Sequence, residues 1–117
     1  MTEFFSTAIS MSLTSLQRSE FISQHTNRRV IWEGDIATID ESRDKITVGL
    51  TDKKPDMVYI AFFSFPTEHR SDFLALKHGQ RIKITGILRE WNVTTADLDS
   101  SRIIKVWPVQ DQTSQGN

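Results

Sequence analysis

The chain has 117 residues, 38% of them hydrophobic and 25% charged, which is the balance of one globular domain with a core of its own and not that of a disordered or membrane protein. It contains no cysteine, so a disulfide framework, a thiolate metal site and a cysteine nucleophile are excluded. The net charge is −1, and from Arg28 to Trp107 there are 13 Lys and Arg against 12 Asp and Glu, without the basic excess of proteins that hold nucleic acid mainly by neutralising phosphates.

The amino end, MTEFFSTAISMSLTSL, has Glu3 where an export signal carries Lys or Arg, and Ser and Thr interrupt its apolar residues. No stretch nears the roughly 18 apolar residues of a membrane span, so the expected setting is cytoplasmic, with no membrane contact. Residues 1–12 read as an arm. Residues 13–27 hold a short helix, because Thr14 and Gln17 have capping-box spacing, although its apolar face is thin, with Phe21 and Ile22 as the main contributors.

From Arg28 the apolar period changes to two. Val30, Trp32, Gly34 and Ile36 share one face of a first strand and Glu33 and Asp35 the other, with Trp32 assigned to the core. Ile39 falls out of phase, which predicts a bulge near Ala37. DESRD (40–44) is a turn, and KITVGLT alternates again with Ile46, Val48 and Leu50 inward. DKKPD (52–56) is a second turn. MVYIAFF (57–63) is apolar on both faces, as expected of a strand that is covered outside or touches something there, and Pro66 ends it.

TEHRSDFLALKHG predicts a helix with Thr67 as N-cap and Gly79 as its terminal glycine. QRIKITGILREW is a fourth strand with Ile82, Ile84 and Leu88 on the side of Gly86 and Arg81, Lys83 and Arg89 opposite. NVTTADLDSS reads as a loop, RIIKVW as a fifth strand with Ile104 and Val106 inward, and residues 109–117 as a flexible polar tail.

The order is three strands, a helix and two strands. VIWEGDI (30–36) returns as IKITGIL (82–88) with its glycine in the same place. A small barrel that closes on itself needs its long strands to curve, and Gly34 and Gly86 are assigned as structural glycines on neighbouring first and fourth strands.

RRVIWEGDIATI, KITVGL, MVYIAFF, FLALKHGQRIKITGIL and RIIKVW together resemble the oligonucleotide/oligosaccharide-binding (OB) fold, and especially the small bacterial domains similar to the tRNA-anticodon-binding OB group. The resemblance covers about residues 20–108, and LALKHGQRIKITGIL is its most telling element. Some relatives of that group are lipoproteins, from which this chain departs in having no N-terminal cysteine. The resemblance implies an all-β fold with short helices, a five-stranded Greek-key barrel of order β-β-β-α-β-β over residues 28–108, with ligands on the outer face of strands two and three. It carries no catalytic residues.

Projected onto that face, alternation places Lys45, Thr47 and Thr51 outward from strand two and Tyr59 and Phe63 outward from strand three, with Lys105 and Trp107 adding from strand five. Aromatics beside lysines stack unpaired bases and track a backbone, which points to single-stranded DNA or RNA. Against this, Tyr59 and Phe63 have the alternative of packing beneath the amino-terminal segment with Phe4 and Phe5. Trp91 and Trp107 end their strands as candidate rim residues. The loops after strands one and four carry Asp40, Glu41, Asp44, Asp97 and Asp99 against Arg43, which would repel phosphates. A protein partner or self-association, through the apolar third strand and the EFF arm, is the competing reading.

Catalysis has little support. His25, His69 and His78 are scattered, and there is no nucleophile elbow, phosphate-binding glycine loop or Gly-x-Gly-x-x-Gly. The expectation is a non-enzymatic binding module with no metal and no cofactor.

Overall fold

The computed structural model describes residues 1–8, 10, 12–52, 59–92 and 94–109. Two helices, α1 (Thr2–Ala8) and α2 (Ser15–His25), precede strands β1 (Arg29–Glu41), β2 (Lys45–Thr51) and β3 (Ile60–Pro66). A 3₁₀ turn (Thr67–His69) leads into α3 (Arg70–Leu74), followed by β4 (Arg81–Asn92) and β5 (Thr95–Val106). The strands form a closed barrel in the order β1-β2-β3-β5-β4.

Closure depends on the length of β1. Its first half, Arg29 to Asp35, pairs antiparallel with β4, and its second half, from Asp35 onward, pairs antiparallel with β2. Between the halves the register with β2 shifts from Ile36 to Thr38, the bulge that the phase of Ile39 predicts, and there the strand turns from one partner to the other. β2–β3 and β4–β5 also pair antiparallel, and the one parallel seam among the described residues is β3–β5, which spans only Ile60–Phe63 and Thr95–Leu98. Because β5 lies between β3 and β4, the chain crosses over as a Greek key does.

Two glycines stand where neighbouring strands leave no room for a side chain. A Cβ on Gly34 would lie 2.9 Å from the Thr51 carbonyl oxygen, and one on Gly86 would lie 3.0 Å from Ser101 Oγ and 3.1 Å from the Phe63 ring. Both positions face the barrel interior, which Ile36, Val48, Leu50, Phe63, Ile84, Leu88 and Leu98 fill.

Four sequence expectations need correction. The arm of residues 1–12 contains a docked helix, because Phe4, Phe5 and Ala8 fall on one face of α1 and are buried against Trp32 and Tyr59. The helix after β3 is shorter than expected: Thr67 lies inside the first turn and Pro66 precedes it without a side-chain cap. Gly79, at φ +85°, sits in a separate turn that donates its N–H to the Ile36 carbonyl. The expected loop NVTTADLDSS is largely strand, since β4 runs to Asn92 and β5 begins at Thr95, with Ala96 and Leu98 buried between outward Asp97 and Asp99. Finally, Ser100 adopts φ +50°, and the β4–β5 register slips several times, so parity along β5 is reset. Ile104 and Val106 therefore face outward, at 45% and 38% exposure, while Ile103 packs against the core.

Thr14 does cap α2: it accepts from the N–H of Gln17, whose side chain accepts from the Thr14 N–H in return. Residues 53–58, which hold most of the DKKPD turn together with Met57 and Val58, and residues 110–117 of the tail lie outside the described residues. No helix among the described residues is long and apolar enough to cross a membrane.

Candidate ligand groove

Strand β2 presents its two faces as its sequence alternates. Ile46, Val48 and Leu50 are buried, Lys45 is exposed, and Thr47 is half-buried on the outer side. Thr51 points the same way but is engaged, its hydroxyl donating to the Tyr59 carbonyl at 3.0 Å.

Strand β3 reverses the sequence-based assignment. Tyr59 and Phe63 are 1% and 0% exposed. Tyr59 stacks on Phe5 with centroids 4.5 Å apart, and Phe63 meets Trp32 edge-on. A strand apolar on both faces gives alternation nothing to choose between, and pairing with β2 decides: Val48 stands opposite Phe63 and Thr47 opposite Ser64. The outer residues are Ile60, Phe62 and Ser64. The polar Ser64 was the available signal, since it shares parity with Phe62 and not with Phe63.

Lys105 and Trp107 are also remote from this face. Lys105 pairs with Lys83 on β4, its Nζ lies 4.7 Å from the centre of the Trp107 ring, and Trp107 bonds to Arg81 and Gln80 through its backbone. Trp91 is half-buried with its Nε1 enclosed and unpartnered, so its polar edge is turned into the protein.

The outer face of β2 and β3 continues across β5 to the end of β4 as a groove of about 510 Å³. Thr47, Phe62 and Ser64 form its middle. Lys45 stands at one side, and Arg89, Glu90, Asp97 and Asp99 at the other. Register explains the second group, because Phe62 is opposite Asp97 and Asp97 opposite Glu90. Arg89 is committed, donating to Asp99 at 2.8 Å and to Asn27 Oδ1 at 2.9 Å. Lys45, Glu90 and Asp97 enter no ion pair among the described residues.

Elsewhere on the barrel, Arg81 donates to Glu33, Asp35 and Asp52 at 2.9, 3.3 and 3.4 Å. Burial works against its charge, but the bonds to the three carboxylates outweigh that cost and hold its pKa above the ordinary arginine value. The row Arg81, Lys83, Arg89 is thus partly neutralised: two of its three cations are paired.

Among the described residues no cluster of His, Asp and Glu has the geometry of a metal site. The histidines are apart in role as well as position: His25 bonds to the Phe21 carbonyl and His69 pairs with Asp72.

The closed barrel, its β1-β2-β3-β5-β4 order and the helix between β3 and β4 match solved structures over most of the chain. A lipoprotein of Klebsiella pneumoniae, proposed to bind nucleic acid, superimposes with a TM-score of 0.69 over 89% of this chain and 87% of its own, at 18% identity. The chain has the OB fold. Two OBodies bound to hen egg-white lysozyme share it more loosely. AM3L09 gives a TM-score of 0.53 at 14% identity over 72% of this chain and 83% of that one, and NL8 gives 0.51 at 13% over 70% and 100%. No family model and no curated protein matches the sequence. At these identities the likeness establishes the OB barrel and not a ligand.

Proposed function

We propose that this OB domain is a non-enzymatic binding module whose β2–β3–β5 groove receives a basic segment of a protein partner. The observation that carries the proposal is the facing pair Glu90 and Asp97. Two carboxylates opposite one another on neighbouring strands oppose folding, at a cost on the order of 1 kcal/mol in a solvated setting, unless a cation joins them. A Lys or Arg from a partner removes that repulsion, while Phe62 offers an apolar contact beside it. A phosphate backbone would meet Glu90, Asp97 and Asp99, with Lys45 the one unpaired cation among the described lining residues to receive it. The OB barrels seated on lysozyme in the OBody complexes support a protein ligand for this fold.

Fluorescence anisotropy with a labelled peptide alternating Arg or Lys with apolar residues tests the proposal. The E90Q/D97N double variant is expected to bind that peptide about tenfold more weakly, in line with the loss of a charge-assisted contact of roughly 1.4 kcal/mol. Equal affinity in parent and variant overturns the reading.

The second reading, single-stranded nucleic acid on the same face, draws on Phe62 as a stacking surface next to Lys45 and Thr47, and on the likeness to the Klebsiella lipoprotein. It predicts that K45A and F62A weaken a labelled oligonucleotide and that E90Q/D97N strengthens it.

A further inference from the structure

The parallel seam ends early, and what it leaves open is a second cavity. Pairing of β3 with β5 stops at Phe63 and Leu98, and the positive φ of Ser100 swings β5 away from the end of β3. Helix α3 covers the gap without filling it. The resulting cavity of about 510 Å³ is lined by Arg29, Arg102, His69, Ser101, Phe65 and Phe73 among others.

Two features point to an anion as the ligand of this cavity. Arg29 is held in place by donating to Thr85 Oγ1 at 3.3 Å and the Ser100 carbonyl at 3.2 Å, which orients its guanidinium from β1 toward β5. Arg102 enters no ion pair among the described residues. Ser101 contributes to the lining, but its Oγ is enclosed on the side of Gly86 and is not offered to the cavity. Asp72, 3.6 Å from His69 Nδ1, is the one carboxylate in the lining, and against it the two arginines leave the cavity with a positive excess. Its inner wall is apolar, formed by Ile103 and by Phe65 and Phe73, whose rings meet at 60° with centroids 4.7 Å apart.

We infer that this seam cavity binds a phosphate monoester carrying a small flat ring, with the phosphate between Arg29 and Arg102 and the ring toward Phe73 and Ile103. Two guanidiniums present more donors than a neutral ligand can use, and planar donor forks suit phosphate oxygens. A cavity of this volume lies within the range of small-molecule sites and accommodates a ring together with its phosphate. The site is independent of the β2–β3–β5 groove, with which it shares no lining residue.

The test is a ¹H–¹⁵N NMR titration of the full chain with phenyl phosphate, with inorganic phosphate and phenol as separate arms. Saturable shifts are expected at Arg29, Ser101, Arg102, Ile103 and Phe73, with phenyl phosphate binding about tenfold more tightly than either fragment because it uses both halves of the site. R102Q, at an exposed position that leaves the fold intact, is expected to weaken phenyl phosphate about tenfold, and R29Q to do the same. Equal binding of phenyl phosphate and inorganic phosphate would mean that only a diffuse positive field is present and overturns the assignment. The absence of saturable shifts at these residues up to about 10 mM phenyl phosphate, or shifts unaltered by R102Q, overturns it equally.

Discussion

The two faces of β3 differ more than its sequence suggests. Inside the barrel, Ala61, Phe63 and Phe65 are fully buried, and Tyr59, just before the strand, is sealed by Phe5 of α1. Outside, Ile60, Phe62 and Ser64 are only half-buried, and Phe62 is the single aromatic ring that the strand contributes to the groove. The aromatic richness of this segment is therefore a property of the core. The outward face of this strand is marked by Ser64, the polar residue that breaks the apolar run, and not by the largest side chains in it.

Substitutions on either side of that divide should separate cleanly. F63A is expected to have the largest effect, a loss of about 3–5 kcal/mol in urea-induced unfolding, since it empties a fully enclosed ring site. A loss below about 1 kcal/mol would place Phe63 on the surface after all and collapse the comparison. G86A should cost roughly 1–3 kcal/mol, because the added methyl presses on Ser101 Oγ and on the same Phe63 ring, and neither can retreat far inside a closed barrel.

On the outer side, F62A should cost only about 1 kcal/mol while reducing peptide binding, a dissociation of stability from affinity that F63A cannot produce. The smallest effect belongs to the ion network away from both faces. R81M is expected to cost about 1 kcal/mol or less, given that the side chain is about a third exposed. The sign of its pH dependence follows from the raised pKa of Arg81. Its contribution is fully present below the unfolded arginine value and lost only as pH rises through the still higher folded value, so R81M and parent should differ by the same amount at neutral and mildly alkaline pH in thermal melts.

Much of the barrel was legible because β1, β2 and β4 alternate cleanly. Ile46, Val48 and Leu50 had polar neighbours to mark their face, Ile39 announced a bulge by falling out of phase, and Thr14 with Gln17 announced the start of α2. The candidate site was less legible for two physical reasons. In β3 both faces are apolar, so only cross-strand register with β2 separates Phe62 from Phe63. In β5 the exposed Asp97 and Asp99 disguise a strand as a loop, and the turn of the backbone at Ser100 inverts the parity of everything after it, which moved Ile104 and Val106 outward. Lys45 and Thr47 of the expected ligand set line the groove, whereas Tyr59 and Phe63 lie in the core and Lys105 and Trp107 lie beside Lys83 and Arg81.

On the proposed function, the outer face of β2, β3 and β5 receives a cationic partner and not a polyanion. A paired ¹H–¹⁵N NMR titration, with the basic peptide in one arm and a mixed-sequence single-stranded DNA in the other, tests it most directly. The peptide is expected to shift Thr47, Phe62, Ser64, Glu90 and Asp97 at low ionic strength, and DNA to leave them unmoved at the same concentration. DNA that shifts those residues at lower concentration than the peptide, or a peptide whose shifts fall wholly elsewhere on the barrel, would contradict it.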